Sequence, residues 1–212
     1  YDTKGPNLKS GRWIWYPEGT PQSNAPVGEA YFRKTFTLPE TAVAKASWFA
    51  GADNESTLYA NGKRVGGWND FKVAGEFDLT DFLHPGSNVL AVEVKNAGDS
   101  PNPAGLFSVI QITFASGDPM TLQTDDSWKS TKVKEAGWET PGFNDGAWAA
   151  AKDLGGNGMD PWKKLSPQDS RVLPARMLRK EFDVDTPVRR ATAYLSGLGL
   201  SELYINGKKI GT

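Results

Sequence analysis

LYANGKRVG, residues 58–66, reads as a strand, a tight turn and a second strand. Asn61-Gly62 supplies the two positive φ values that a type I′ hairpin requires. The same skeleton returns as LYINGKKIG at residues 203–211. Upstream of each hairpin a second match appears: YFRKTF at 31–36 and RMLRKEF at 176–182 share Arg33-Lys34 with Arg179-Lys180, and Phe36 with Phe182. The offsets are 146 and 145 positions, so one residue is lost between the two matches. Ordered matches at nearly equal spacing mark an internal repeat. The first copy continues to a strand ending at Phe114, whereas the sequence stops at Thr212 inside the second. The chain is therefore expected to be a piece of something longer, with a second domain represented only by its opening strands.

The segments around the hairpin have the period of strands. Residues 31–38 alternate Phe32, Lys34, Phe36 and Leu38 against Tyr31, Arg33, Thr35 and Thr37, with Pro39 as terminator. Residues 42–50 place Ala44, Ala46, Trp48 and Ala50 on one face. Residues 89–96 set Leu90, Val92 and Val94 against Ala91, Glu93 and Lys95, and Asn96 continues the apolar face at the strand end. Residues 106–114 align Leu106, Ile110, Ile112 and Phe114. Residues 136–165 lack periodicity. They are expected to form an irregular wrap whose Trp138, Trp148 and Trp162 cap a sandwich edge, with a turn or two of helix at 147–153. Short strands with turn signals between them predict an antiparallel β-sandwich.

Composition narrows the function. The 212 residues are 38% hydrophobic and 23% charged, with a formal net charge of −1, as in an ordinary globular protein. No basic excess is available for a nucleic-acid backbone. No window approaches the ~18 consecutive apolar residues that span a bilayer. The absence of cysteine excludes disulfides, thiolate zinc sites and cysteine nucleophiles, but does not fix the compartment. The first ten residues have no apolar core of a leader, so either a signal peptide has been removed or the chain was never exported. The single histidine, His84, sits before Pro85-Gly86 and reads as part of a turn. Asp125-Asp126 is a turn rather than an acid/base pair, because neighbours on a strand face opposite ways.

Between the strand at 42–50 and the hairpin lies Ala52-Asp53-Asn54-Glu55, a carboxylate beside an amide at a strand end. In one reading the pair caps its own backbone in a turn. In the other it binds a ligand. The second copy has Leu198-Gly199-Leu200-Ser201 at this place, so the skeleton does not require Asp53 or Asn54. On that basis Asp53→Ala is expected to cost little stability. If the ends of strands 42–50 and 89–96 share a rim, Asp53, Asn54, Asn96 and carbonyls of the following loop converge. Such hard oxygen donors suit Ca²⁺, and a single carboxylate leaves coordination positions open for sugar hydroxyls.

The sequence resembles the N-terminal region of bacterial α-L-rhamnosidases over roughly residues 11–212. RKEFDVDTPVRRATAYLSGLGLSELYINGKKIG is similar to the start of their N-terminal β-sandwich. WFAGADNESTLYANGKRVGGW, NVLAVEVKNAGDSPNPAGL and the segment from DDSWK to GWETPGFNDGAW are similar to the rhamnose-binding carbohydrate-binding module of such enzymes. The resemblance implies an all-β chain with a galactose-binding-like, jelly-roll-type antiparallel β-sandwich at 1–165. A linker at 166–174 and a truncated second β-sandwich at 175–212 would follow. It implies a Ca²⁺ ion that links the protein to L-rhamnose, with Asp53, Asn54, Asn96 and the Pro101 carbonyl as ligands. Trp68 is the candidate for the aromatic residue lining the sugar. Its flanks, Gly66, Gly67, Asn69 and Asp70, read as a polar turn that offers a packed ring little company. The resemblance further implies no catalytic residues in this chain, a catalytic domain elsewhere in the parent protein, and a secreted or periplasmic setting. The alternative is a structural spacer sandwich that orients the catalytic domain and binds no sugar.

Overall fold

The computed structural model describes residues 6–168, 177–196 and 201–210. It divides into two compact units, 1–170 and 171–212. The strands of the first unit are β1 (Arg12–Trp15), β2 (Gly28–Leu38), β3 (Val43–Asp53), β4 (Glu55–Ala60), β5 (Lys63–Trp68), β6 (Val73–Asp78) and β7 (Gly86–Asn96). They continue with β8 (Gly105–Phe114), β9 (Met120–Gln123), β10 (Lys129–Thr131), β11 (Ala149–Ala150), β12 (Lys152–Gly156) and β13 (Ser166–Pro167). A four-residue helix, α1 (Pro21–Asn24), and one turn of 3₁₀ helix (Thr80–Phe82) complete it. One sheet runs β12-β1-β8-β3-β6-β13, with β9 also on β8; the other runs β11-β10-β2-β7-β4-β5. Every pairing is antiparallel except β13 on β6. The unit is the expected β-sandwich, and its hairpin turn carries Asn61 at φ 50° and Gly62 at φ 81°.

Period 2 determines what each face buries. Ala46, Trp48, Ala50 and Ala52 of β3, Leu90, Val92 and Val94 of β7, and Leu106, Ile110 and Ile112 of β8 meet in the core between the sheets. The opposite faces are also apolar. Phe49 of β3 and Phe107 and Val109 of β8 form a second cluster with Trp13, Trp162 and Leu165. Tyr31 of β2 and Val89 and Ala91 of β7 form a third with Trp138 and Trp148. The tryptophans of the wrap therefore cover the outer faces of the two sheets, not an edge. Residues 147–153, the one stretch of the wrap with the composition for a turn or two of helix, instead contribute β11 and the start of β12. Trp148 and Ala151 are buried there, and pairing with β10 and β1 overrides the helix propensity of the alanines.

The wrap is fastened by a buried charge. Arg33 on β2 is 1% exposed. Its Nε donates to Asp145 at 2.9 Å, and its other nitrogens donate to the carbonyls of Trp138, Thr140 and Phe143. The guanidinium also lies 5.1 Å from the Phe143 ring centroid. Recurrence in both copies assigns Arg33 to the shared skeleton or to inter-domain contacts, and its partners lie more than a hundred positions away inside the same unit.

The first unit extends beyond residue 165. Ser166–Pro167 pairs with β6, and the Gln168 amide donates to Ala74. The remainder of the expected linker, 169–174, lies outside the described residues. In the second unit β14 (Leu203–Ile205) and β15 (Lys208–Ile210) form the repeated hairpin, with Asn206 at φ 50° and Gly207 at φ 77°. Residues 177–182, the counterpart of part of β2, take no strand. In the first unit β2 is held by β7 and β10, and no counterparts of these pair with 177–182 among the described residues.

Truncating Arg33 leaves Asp145 and three carbonyls without their donor. Arg33→Ala is expected to cost about 3–5 kcal/mol in urea unfolding of the chain, and Asp145→Asn clearly less.

Candidate functional site

β3 belongs to one sheet and β4 to the other, and only Asn54 stands between them. Asp53 still pairs with Gly105 of β8, while Glu55 already pairs with Lys95 of β7. The Asp53–Asn54 peptide is cis. The Asn54 amide donates to the Lys95 carbonyl at 3.0 Å, and its Oδ1 accepts the Ala97 amide at 2.7 Å. Asn54 therefore does not cap its own turn; it fastens the exit of β7. The loop 97–104 then arches back to Gly105. Asn102 ties it down by donating to the carbonyls of Ala97 and Ser100 and by bridging Ala25. Asp53, Asn54, Asn96 and Pro101 thus stand at one rim of the sandwich.

Their side chains approach that rim from different layers. Asn96 continues the inward face of Val92 and Val94 and is fully buried. Its Nδ2 donates to the carbonyls of Ala25 and Pro26, both at 3.2 Å, which fixes which end of the amide is nitrogen. Its Oδ1 is buried and has no partner among the described residues. Asp53 shares the outward face of Phe49 and Gly51 and is 6% exposed. Its Oδ2 accepts the indole N–H of Trp162 at 2.8 Å, and Oδ1 takes no hydrogen bond among the described residues. Burial lifts the Asp53 carboxyl above the usual aspartate range, and the indole N–H draws it partly back. Pro101 is exposed, and its carbonyl carries no hydrogen bond among the described residues. Gln22 of α1 also has a buried Oε1 with no partner among the described residues, and it follows Pro21, whose carbonyl accepts the Ala104 amide.

Trp68 is not the unaccompanied ring of a polar turn. It ends β5 opposite Ser56, half-buried, with its Nε1 donating to Val73 at 2.8 Å. Its ring meets Phe77 edge-on and fills the space left by Gly75, where a Cβ would lie 2.5 Å from it. Of the two neighbouring glycines that read as turn residues, Gly66 is space for the Phe77 ring, where a Cβ would lie 2.5 Å away, whereas Gly67 faces the Ser56 carbonyl. The sequence reading missed Phe71. Phe71 follows Asp70, whose carbonyl accepts the Ala52 amide, and it is partly buried against the outer cluster that holds Phe49 and Trp162, 5.5 Å from Lys72 Nζ.

The donor set consists of one carboxylate, two amide oxygens and a loop carbonyl. Among the described residues no three or more His, Asp or Glu side chains group to hold a metal. The unpartnered Asn96 Oδ1 fits a hard cation, since a buried acceptor without a donor costs about 1–3 kcal/mol. The Leu198-Gly199-Leu200 part of the second copy's stretch lies outside the described residues.

No protein-family model matches the chain. An α-L-rhamnosidase of Streptomyces avermitilis is 37% identical over 220 residues, which take in 99% of this chain and 20% of the enzyme. A crystal structure of Streptomyces avermitilis α-L-rhamnosidase complexed with L-rhamnose matches with a TM-score of 0.73 and 36% identity, over 78% of this chain and 16% of that one. Sequence and fold both match an α-L-rhamnosidase. The chain spans about a fifth of that rhamnosidase's length. A Pleurotus ostreatus lectin in complex with GalNAc shares the fold at a TM-score of 0.70 and 27% identity, over 75% of this chain and 47% of the lectin. The rhamnosidase match takes in both units of this chain, whereas the lectin match does not extend over the whole of it.

The position of Asp53 corrects the expectation that it is spare to the fold. Asp53→Ala strands the buried indole N–H of Trp162. It should lower unfolding free energy by about 1–3 kcal/mol, measured in chelator so that no bound ion contributes.

Proposed function

We propose that the first unit is a non-catalytic carbohydrate-binding module that holds L-rhamnose through a calcium ion, in a parent protein that carries rhamnosidase activity elsewhere. The observation that carries this reading is Asn96 Oδ1, a buried acceptor without a donor among the described residues, at the same rim as Asp53. Asp53, the Asn54 oxygens, Asn96 Oδ1 and the Pro101 carbonyl would hold the ion. Calcium takes six to eight oxygens and would leave positions for two vicinal sugar hydroxyls. Phe71 and the exposed part of Trp68 supply apolar surface for the C–H face and methyl group of the sugar. The rhamnosidase and lectin relationships support carbohydrate as the ligand class. Modest affinity at one such site gains from tethering, because a catalytic domain on the same chain is kept at high effective concentration near polysaccharide. Rhamnose-bearing polysaccharide outside the cell is the setting in which such a module acts.

The spacer reading also rests on specific observations. Asp53 and Asn54 each have a structural partner, Trp162 and the Ala97 amide. Calorimetric titration separates the two readings. L-rhamnose should release heat with calcium present and none after EDTA treatment; no heat in calcium rejects the binding reading. The purified chain should not hydrolyse an aryl α-L-rhamnoside, and measurable turnover would show that it is not a mere module.

The pH dependence has a defined sign. Without the ion, the raised carboxyl makes protonation favour the folded state, so this contribution is lost as pH rises through the folded pKa. Calcium requires the deprotonated form. The calcium-induced rise in Tm should therefore be full near pH 7 and fade on acidification, at a higher pH than an unburied aspartate near 3.9 would give. A calcium response that stays flat down to about pH 4 would remove Asp53 from the ligand set.

A further inference from the structure

We infer that Trp162 is a positioning residue for the cation site, acting through Asp53; the inference rests on the calcium reading above. Trp162 is separated from Asp53 by more than a hundred positions, yet it is 2% exposed and donates its indole N–H to Asp53 Oδ2 at 2.8 Å. The bond turns one carboxylate oxygen into the protein and leaves Oδ1 for a ligand. Carboxylates that bind metals are commonly held in this way by an outer hydrogen bond.

The indole is itself rigidly placed. It stacks on Trp13 with centroids 4.3 Å apart and planes 20° from parallel. It occupies the space over Gly105, where a Cβ would stand 2.8 Å from the ring. Gly105 is the strand partner of Asp53, so the glycine admits the ring beside the carboxylate it holds. Leu165 fills the equivalent space over Gly51, where a Cβ would approach to 2.9 Å. Both residues belong to one strap along the outer face of the sheet. Asn157 grips it by accepting the Leu165 amide at 2.8 Å and donating to the Leu165 carbonyl at 3.2 Å. Beyond Leu165 the strap joins the sheet through β13 on β6, with the Ser166 amide on the Lys72 carbonyl at 3.1 Å. The strap thus delivers one hydrogen-bond donor to the corner where the chain changes sheets.

The test uses calcium alone as probe, followed by L-rhamnose at saturating calcium. Trp162→Phe keeps the aromatic ring and removes the N–H. It should weaken calcium binding by about 10–100-fold, and leave L-rhamnose affinity unchanged once calcium saturates. Val109→Ala, in the same outer cluster, should lower Tm and leave calcium affinity at the native value. The inference is overturned if Trp162→Phe keeps native calcium affinity, or if Val109→Ala loses as much. A readout that depends on no variant comes from the indole N–H resonances of the native chain. That of Trp162 should shift on calcium addition while those of Trp138 and Trp148 stay fixed; an unmoved Trp162 signal also overturns the inference. A native chain with no calcium response overturns the calcium reading and this inference together. A native response that Trp162→Phe leaves intact overturns this inference alone.

Discussion

One residue carries the chain from one sheet of the sandwich to the other. Sheets packed face to face stand about 10 Å apart, and two residue steps of extended chain reach only about 7 Å. Because Asp53 pairs in the first sheet and Glu55 in the second, the sheets must close together at this corner. Asn54 is held there by the carbonyl of Lys95 and the amide of Ala97. The closing brings the end of β7, the start of β8 and the loop between them to the same rim. The gathering of polar groups at Asp53, Asn54 and Asn96 is a consequence of that crossing.

Outside the two sheets the protein uses one device twice. An irregular segment bearing one or two buried tryptophans covers the outer face of each sheet, and a buried polar group fastens it. On one side Arg33 draws the carbonyls of Trp138, Thr140 and Phe143 onto β2. On the other Asp53 takes the indole N–H of Trp162. Both faces would otherwise expose large apolar side chains, since Tyr31, Val89, Phe49 and Phe107 point away from the central core. The two fasteners differ in charge balance. Arg33 has the Asp145 carboxylate as a partner, and its terminal nitrogens donate to three carbonyls. Among the described residues Asp53 accepts only from a neutral donor, so burial raises its carboxyl and the indole N–H only partly offsets that.

The strands were legible in the sequence because alternation along β2, β3, β7 and β8 records which side each residue buries. The hairpin was legible because Asn61-Gly62 has the chemistry of its turn. The rim was legible through Asn96, which ends an apolar face; its place there reads as pointing over the rim of the core, whereas the structure buries it fully. What escaped depends on distance or on ambiguous residue types. Nothing local to Arg33 or Asp53 announces partners more than a hundred positions away. Glycine has the same letter whether it turns the chain or makes room. Gly66 and Gly75 leave space for the Phe77 and Trp68 rings, so Trp68 looked solvated in sequence and is packed in structure. The alanines around Trp148 carry helix propensity, and cross-strand pairing outweighs it.

The internal repeat invites the argument that a pair absent from one copy is free for function in the other. The geometry limits that argument. Asp53 has a fold partner that exists only because the strap bearing Trp162 lies on its sheet, so loss of the aspartate elsewhere says nothing about its cost here. Structural and ligand roles are also not exclusive at this position. A carboxylate held by a neutral donor in a buried corner retains unsatisfied charge, and a divalent cation is the kind of partner that satisfies it. The same burial that makes Asp53 costly to ionise makes a bound cation more strongly felt, because little water competes at the corner. On this view the hydrogen bond to Trp162 holds the carboxylate in place, and the charge it leaves uncompensated is what the site offers to an ion.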